Sequence, residues 1–269
     1  MTIGFLTPYK HLPRFTKFVE SKYKCVDLKD SIQKVDIIFS APNYENCTVT
    51  EDLVNQCNAR YIVSPSTGTN HIYVKSIPTI DIKNDPVLDT IPSTAEHNIY
   101  LILSLIRNAN PVLQLADLSL GILGYGRLGK MLDSKCFFLF NDILHMDIHD
   151  YDNEFFTDTD VLSINIDLRE ENVNFINEEF INKFNKNIFI VNTSRGEVVN
   201  EEDVLKLIES GKVLGYATDV VKEEYNDLET PLKLANQSNK LIITPHVGGI
   251  AIGAQESAYR RSIEKLKEL

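Results

Sequence analysis

The sequence has no tryptophan, only three methionines and only four cysteines in 269 residues. Cys25, Cys47, Cys57 and Cys136 are scattered, with no CxxC pair and no metal-ligand spacing. That argues against a zinc ribbon or a disulfide framework and fits a reducing cytoplasm. Long hydrophobic runs are missing as well. The longest mostly apolar stretch, Ile99 to Ile106, is far below the ~20 residues of a membrane span. The chain does not open on a basic region followed by an apolar run, so no secretory signal is expected. Positive charge is scarce: 27 Lys and Arg against 38 Asp and Glu leave a net charge of −11. With no basic run to neutralise phosphates, nucleic-acid binding is not expected. A small anionic ligand would need a local cation acting against the overall field. The expectation is a soluble, cytoplasmic globular chain with room for one large or two medium domains.

What is present is a rhythm. Short apolar runs at Ile3–Leu6, Asp36–Phe39, Tyr61–Ser64, Leu118–Leu123, Asp142–Asp147, Val161–Asn165, Asn187–Asn192, Val213–Thr218 and Leu241–Thr244 read as strands. Between most of them lie segments with polar caps and apolar residues three and four apart, such as Thr50–Cys57 and Glu201–Ser210. Parallel neighbours need such crossovers, so the pattern predicts an α/β fold with parallel sheets. Ser93-Thr94-Ala95-Glu96 reads as a capping box. The helix it opens is apolar nearly all round, from Ile99 to Ile106, which predicts burial on several sides. A domain boundary is expected near its start.

The apolar strand Leu118–Leu123 runs into Gly124-Tyr-Gly126-Arg127-Leu128-Gly129 and then into a helical pattern. A Gly-x-Gly-x-x-Gly pattern alone is weak, but here it has the strand before it and the helix after it. Asp147 ends the next strand, eighteen residues beyond Gly129. In a dinucleotide site the first glycine permits the tight turn, the second admits pyrophosphate to the backbone, and the third lets helix and strand pack closely. The helix N-terminus faces the phosphates and the acid accepts from a ribose diol. Ile148 and His149 follow Asp147 in place of Arg or Lys, which favours NAD, with NADP the lesser alternative. His145 and His149 straddle a strand end, so no metal site is expected from their spacing. Glu170-Glu171, Glu178-Glu179 and Glu201-Glu202 read as solvated helix starts, where negative charge suits the macrodipole.

From about Tyr61 to Glu256 the chain resembles the D-isomer-specific 2-hydroxyacid dehydrogenases. The resemblance rests on ordered motifs. Thr67-Gly68-Thr69-Asn70-His71-Ile72 looks like the family's substrate loop, and Thr94-Ala95-Glu96-His97 like the start of its interdomain helix. Asn192-Thr193-Ser194-Arg195-Gly196, Asp219-Val220 with Glu224 five residues on, and Thr244-Pro245-His246 are similar to its catalytic arginine, glutamate and histidine segments. The resemblance implies two Rossmann-like, doubly wound domains. The NAD domain, 94–249, is inserted in a substrate domain made of 1–93 and 250–269. It further implies hydride transfer between NAD(H) and C2 of a small 2-keto or 2-hydroxy acid, with closure of the two domains excluding water.

In that scheme Arg195 holds the substrate carboxylate and keto oxygen, which a planar guanidinium fork can do bidentately. His246 exchanges the proton, and Glu224 orients its imidazole and favours the cation. Thr67, Gly68 and Thr69 offer backbone N–H groups to the carboxylate. Asp219 accepts from the nicotinamide carboxamide, Thr193 lines the ring and Asn172 reaches the ribose region. Arginines after strands are common on surfaces, and only the motif around Arg195 singles it out. Tyr9, His11 and Arg14, in a polar loop, either close over the substrate or belong to the surface. The loops around Pro42-Asn43-Tyr44 and Tyr9 are expected to select the substrate side chain.

The chain also departs from the family. Thirteen residues separate Arg107 from Gly121, where relatives carry a longer dimer arm, and twelve separate Asp147 from Asp160. Asn165-Ile166-Asp167 stands where relatives have His-x-Pro. A homodimer is implied by the family but the shortened arm leaves the oligomeric state open. Two other functions stay in view. One is an NAD(H)-sensing binding module that regulates a protein partner, for which an acid–base pair has no use. The other is a different Rossmann oxidoreductase with a non-acid substrate, for which Arg195 has none.

Overall fold

The computed structural model describes residues 1–268 apart from Asn43, Glu45, Asn46, Asn70, Tyr151 and residues 225–227. The chain opens with β1 (Thr2–Phe5), α1 (Pro13–Glu20), β2 (Lys24–Asp27), β3 (Ile37–Phe39) and β4 (Val49–Thr50). Next come α2 (Glu51–Cys57), β5 (Tyr61–Val63), β6 (Ile72–Tyr73) and β7 (Thr79–Ile80). The middle of the chain forms α3 (Ser93–Ala109), β8 (Ser119–Leu123), α4 (Arg127–Cys136), β9 (Asp142–Met146), α5 (Asn153–Asp158) and β10 (Val161–Ile164). It ends with α6 (Glu178–Asn182), β11 (Ile188–Asn192), α7 (Glu201–Ser210), β12 (Val213–Thr218), α8 (Pro231–Leu234), β13 (Leu241–Ile243) and α9 (Ile252–Glu264). Two compact units result. The first is Met1–Ile91 together with Gly249–Leu269, and the second is Pro92–Gly248.

In the first unit a parallel sheet has the order β2-β1-β3-β5-β7, and β4 pairs with β6 beside it. Side chains alternate across the sheet because successive strand residues point to opposite faces. Ile3, Phe5, Ile37, Phe39 and Val63 pack under Phe15 and Val19 of α1 and Tyr259 and Ile263 of α9. Ile38 and Ile62 face Val54 and Cys57 of α2. Tyr9 belongs to the first layer. Its ring stacks on Phe5 at 4.0 Å and its hydroxyl donates to Glu20 at 3.0 Å. Burial and the nearby Glu20 carboxylate push that hydroxyl well above the ordinary phenol range. The rest of the loop is tied to α9: His11 Nε2 lies 2.8 Å from Gln255 Oε1, and the Arg14 N–H donates to Glu256 Oε1 at 2.7 Å. Tyr9 is thus a core side chain.

The second unit is built on a parallel sheet of order β13-β12-β11-β10-β8-β9. Ile188 and Ile190 of β11 face a layer with Phe155, Phe156, Phe180, Phe184 and Val204 from α5, α6, α7 and the loop after α6. Phe189 and Val191, one residue out of phase, face Leu101, Leu105 and Ile106 of α3 and Leu132 of α4. The sheet is covered on both faces, as all-parallel sheets are. The chain leaves β8 toward β9 on one side and reaches β10 on the other, so the strand order reverses between β8 and β10. Ligands of doubly wound sheets bind at the carboxyl ends of the strands around such a point.

All nine expected strands are present, with ends that differ by no more than a residue. Four strands carry no readable signal. β2 is an edge strand with both ends exposed, and β4, β6 and β7 have two residues each. The capping box is not formed. Pro92 holds the cap position, and the Glu96 N–H bonds to the Pro92 carbonyl. Ser93 Oγ donates instead to Gly248 O, and Glu96 pairs with Lys135 at 3.0 Å. Helix α3 buries Leu101, Ile102, Leu105 and Ile106 and leaves Tyr100 and Leu103 exposed.

Glu201 differs from the expected solvated acid. It is buried at the start of α7, with Oε1 accepting from Lys222 N–H at 2.8 Å and Oε2 from Leu232 N–H at 3.0 Å. One side chain thereby satisfies two backbone donors that would otherwise lack partners. Removing it should leave both unsatisfied, at about 1–3 kcal/mol each. Glu201→Ala is accordingly expected to lose about 2–4 kcal/mol in denaturant unfolding, with Glu201→Gln losing less because its amide oxygen still accepts one bond.

Candidate active site

The glycine loop joins β8 to α4. Gly124 adopts φ 94°, a left-handed conformation that side chains disfavour, and a Cβ there would lie 2.8 Å from the Asn165 carbonyl carbon. A Cβ on Gly129 would lie 2.2 Å from Gly124 O, so helix and loop touch backbone to backbone. Gly126, by contrast, has open space where a Cβ would be, and as the cap residue of α4 it offers no side-chain acceptor. The first N–H groups of the helix, at Arg127, Leu128 and Gly129, therefore face an open cradle with the positive end of the helix dipole behind it. Asp147 is exposed just beyond β9, and its Oδ1 accepts from the Tyr125 N–H at 2.9 Å. The carboxylate is thus fixed beside the loop. The cradle and the acid fit the pyrophosphate and ribose of a dinucleotide. His145 does not pair with His149 as a metal ligand would; its ring stacks on Tyr125 at 4.0 Å. Among the described residues no cluster of His, Cys, Asp and Glu could hold a metal ion.

The strands β11, β12 and β13 are neighbours, so the loops that follow them lie side by side. Arg195 comes after β11, Asp219 and Glu224 after β12, and His246 after β13. Asn192, the last residue of β11, shapes the first loop. Its Oδ1 accepts from Ser194 N–H and Oγ at 2.9 and 2.8 Å, and its Nδ2 donates to Arg195 O at 2.9 Å. The half-buried Arg195 guanidinium rests on Ser194 O at 2.7 Å. A Cβ on Gly196 would strike Val221 at 2.1 Å, so the arginine loop lies against the segment leading to Glu224. His246 Nδ1 and Glu224 Oε1 are 2.6 Å apart, both largely shielded from solvent. His246 sits at φ 53°, a conformation uncommon for a non-glycine residue and often found at functional sites.

Asp219, 2% exposed, links these loops. Oδ1 accepts from Thr244 Oγ1 at 2.5 Å and Val247 N–H at 2.9 Å, and Oδ2 from Gly248 N–H at 2.7 Å. His97 Nε2 lies 3.2 Å from Oδ1. Burial alone would raise this carboxyl, but bonds from His97, Thr244, Val247 and Gly248 hold it below the usual carboxylate range. Thr193 is buried, and its Oγ1 accepts from Asn98 Nδ2 at 2.9 Å. The same Asn98 amide reaches Ser163 Oγ at 3.0 Å, and Asn165 Nδ2 donates there at 3.0 Å. Asn165 thus joins a buried network beneath the glycine loop. Asn172 is fully buried with Nδ2 on Asp167 O at 2.7 Å, and its Oδ1 has no hydrogen-bond partner.

In the first unit Thr67 is exposed after β5, Gly68 and Thr69 are half-buried, and the Gly68 N–H donates to Ser66 Oγ at 3.2 Å. Asn70 and Asn43 lie outside the described residues. Asn98 and Ser163 are not singled out by the sequence, although Ser163 is a polar residue inside an apolar run and Asn98 falls on the buried stripe of α3.

Comparison with known proteins gives the chain its relatives. The sequence model of a family described as D-isomer specific 2-hydroxyacid dehydrogenase, NAD binding domain, matches residues 104–248. The chain is 26% identical over 247 residues to the D-specific alpha-keto acid dehydrogenase of Enterococcus faecium, covering 79% of this chain and 75% of that protein. It is also 26% identical over 265 residues to the chloroplastic/mitochondrial formate dehydrogenase of Arabidopsis thaliana, covering 85% and 68%. Among solved structures, the D-lactate dehydrogenase of Aquifex aeolicus, complexed with NAD and lactic acid, has the same fold. Its TM-score is 0.75 at 21% identity, over 99% of this chain and 94% of that one. No helix among the described residues is long and apolar enough to cross a membrane. The matched region takes in the glycine loop and Asp147, and NAD is the cofactor. Spanning more than half of the sequence, the match settles the kinship: the chain belongs to the D-isomer specific 2-hydroxyacid dehydrogenase family.

Proposed function

We propose that this chain interconverts a small 2-keto acid and the corresponding D-2-hydroxy acid. The observation that carries the reading is the 2.6 Å contact between His246 Nδ1 and Glu224 Oε1, on the loop beside the one that bears Arg195. The carboxylate of Glu224 can only accept, so Nδ1 carries the proton of that bond and Nε2 is directed to substrate. NADH supplies the hydride when bound. Arg195 exchanges its contact with Ser194 O for the substrate carboxylate and stabilises the charge that grows on the keto oxygen. His246 delivers a proton to that oxygen from Nε2, and in the reverse direction removes it. Glu224 keeps the imidazolium oriented and its charge compensated.

The remaining assignments belong to the same proposal. Thr67, Gly68 and Thr69 donate backbone N–H groups to the substrate carboxylate. Gly124, Gly126, Arg127, Leu128 and Gly129 hold the pyrophosphate, and Asp147 the adenosine ribose. Thr193 lines the nicotinamide, and Asp219 Oδ2, with one donor already on it, accepts from the carboxamide. Asn172 acts on the cofactor side through the 167–172 loop, whose Asp167 carbonyl it holds.

Formate dehydrogenases are among the relatives, so formate is the competing substrate. Formate gives up its hydride without moving a proton on or off oxygen, which would leave the histidine–glutamate pair idle. The pair therefore favours a hydroxy or keto acid.

NADH oxidation measured against a panel of 2-keto acids, with formate oxidation alongside, tests the reading. Turnover on a keto acid is expected to fall about 10²–10⁴-fold in His246→Ala, in line with the loss of a general acid. Arg195→Ala is expected to lose a comparable amount and Arg195→Lys to recover little, because a lysine cannot grip a carboxylate bidentately. Tight NADH binding with no turnover on any panel member would overturn the proposal. Separately, Asp147→Ala is expected to weaken NADH binding about tenfold, the loss of one charged hydrogen bond, while leaving NADPH binding unchanged or improved. Titration of cofactor fluorescence reads both.

A further inference from the structure

Helix α3 carries polar side chains at inward positions of its first two turns, where the rest of its buried face is apolar. Ser93 and His97 are four residues apart and so lie on one face. Both reach the segment that carries His246. Ser93 Oγ donates to Gly248 O at 2.5 Å. His97 Nε2 lies 3.0 Å from Thr244 Oγ1 and 3.2 Å from Asp219 Oδ1. The proton positions follow from the chemistry of the partners. Thr244 has one hydroxyl hydrogen, and its 2.5 Å contact with Asp219 Oδ1 uses it. An ionised carboxylate has no hydrogen to give. Nε2 of His97 must therefore be the protonated nitrogen, donating into both oxygens.

Those oxygens in turn hold the backbone next to His246. Asp219 accepts from the N–H groups of Val247 and Gly248, the two residues after it, and Thr244 lies two residues before it. The turn so held keeps His246 at φ 53°, with Nδ1 on Glu224. Contacts thus run without a gap from His97, through Asp219 and Thr244, to the backbone on both sides of His246.

We propose that His97 is a positioning residue for the acid–base step: its Nε2–H anchors the Asp219–Thr244 pair that holds the 244–248 turn and aims His246 at Glu224. The inference rests on the reading of His246 as the acid and base.

The test uses the full-length chain with His97→Ala, His97→Gln and Thr244→Val. The glutamine amide can place a donor close to where Nε2 stands. For the best keto acid, kcat is expected to drop about 10- to 100-fold in His97→Ala, the size of a small misalignment of a reacting group. His97→Gln should recover most of the loss. In ¹⁵N-histidine NMR the His246 ring signals, identified by their absence in His246→Asn, should move in His97→Ala and Thr244→Val but hold their positions in His97→Gln. Unchanged kcat and unchanged His246 signals in His97→Ala would overturn the proposal, as would a glutamine variant no better than the alanine one. If His97→Ala does not fold, Thr244→Val, which leaves α3 intact, decides the matter by the same two readouts. An inactive wild type would defeat the reading of His246 and leave the NMR comparison standing, so the two failures are distinguishable.

Discussion

The buried carboxylate of Asp219 is the interaction on which the rest of the site depends. A charge almost removed from water is costly unless donors surround it. Here they come from a helix, from a side chain and from two peptide groups after β13. The donors belong to the first turns of α3 and to the loop after β13. Satisfying one anion therefore brings α3 and the loops after β12 and β13 into a common frame. The backbone of Asp219 extends the frame to β11, since its N–H donates to Asn192 O at 3.0 Å.

Topology supplies the other half. Three adjacent parallel strands end on the same edge, and each hands over one polar group: a guanidinium, a carboxylate and an imidazole. The glycine loop leaves the same edge three strands along from β12. A parallel sheet thus separates the work physically. The glycine loop and Asp147 gather where the strand order reverses, and Arg195, Glu224 and His246 gather on the β11–β13 side. Close packing of Gly129 on Gly124, and of Gly196 on Val221, fixes these loops by backbone contact, with no side chain between that could change rotamer.

Much of this is legible in the sequence because it is local. Strand–glycine loop–helix is a contiguous signal, and buried parallel strands are contiguous apolar runs. The motifs around Arg195, Asp219 and His246 are short and ordered. What is not legible depends on contacts between distant segments. Ser93 has the composition of a cap, yet its hydroxyl goes to a carbonyl 155 residues away. Glu201 has the composition of a solvated helix start, yet the peptide N–H groups of Lys222, in the loop after β12, and of Leu232, in α8, claim it. Tyr9 looks like a loop tyrosine until Phe5 and Glu20 are placed beside it. Asn98 is the instructive intermediate. A polar residue in the apolar stripe of α3 announces a buried partner, but only the fold supplies Thr193 and Ser163.

The bond between Ser93 and Gly248 has a meaning beyond catalysis. These residues stand one from the start and at the very end of the second unit, so the two places where the chain crosses between the units are fastened to each other. A segment whose ends meet behaves topologically as a closed loop. It can be carried inside another chain with little added entropy of closure, because its host has only to bridge a gap already bridged. The dinucleotide-binding unit is in that sense a cassette. The host sequence can change its own composition, length and side-chain pockets without disturbing the register of the six strands inside.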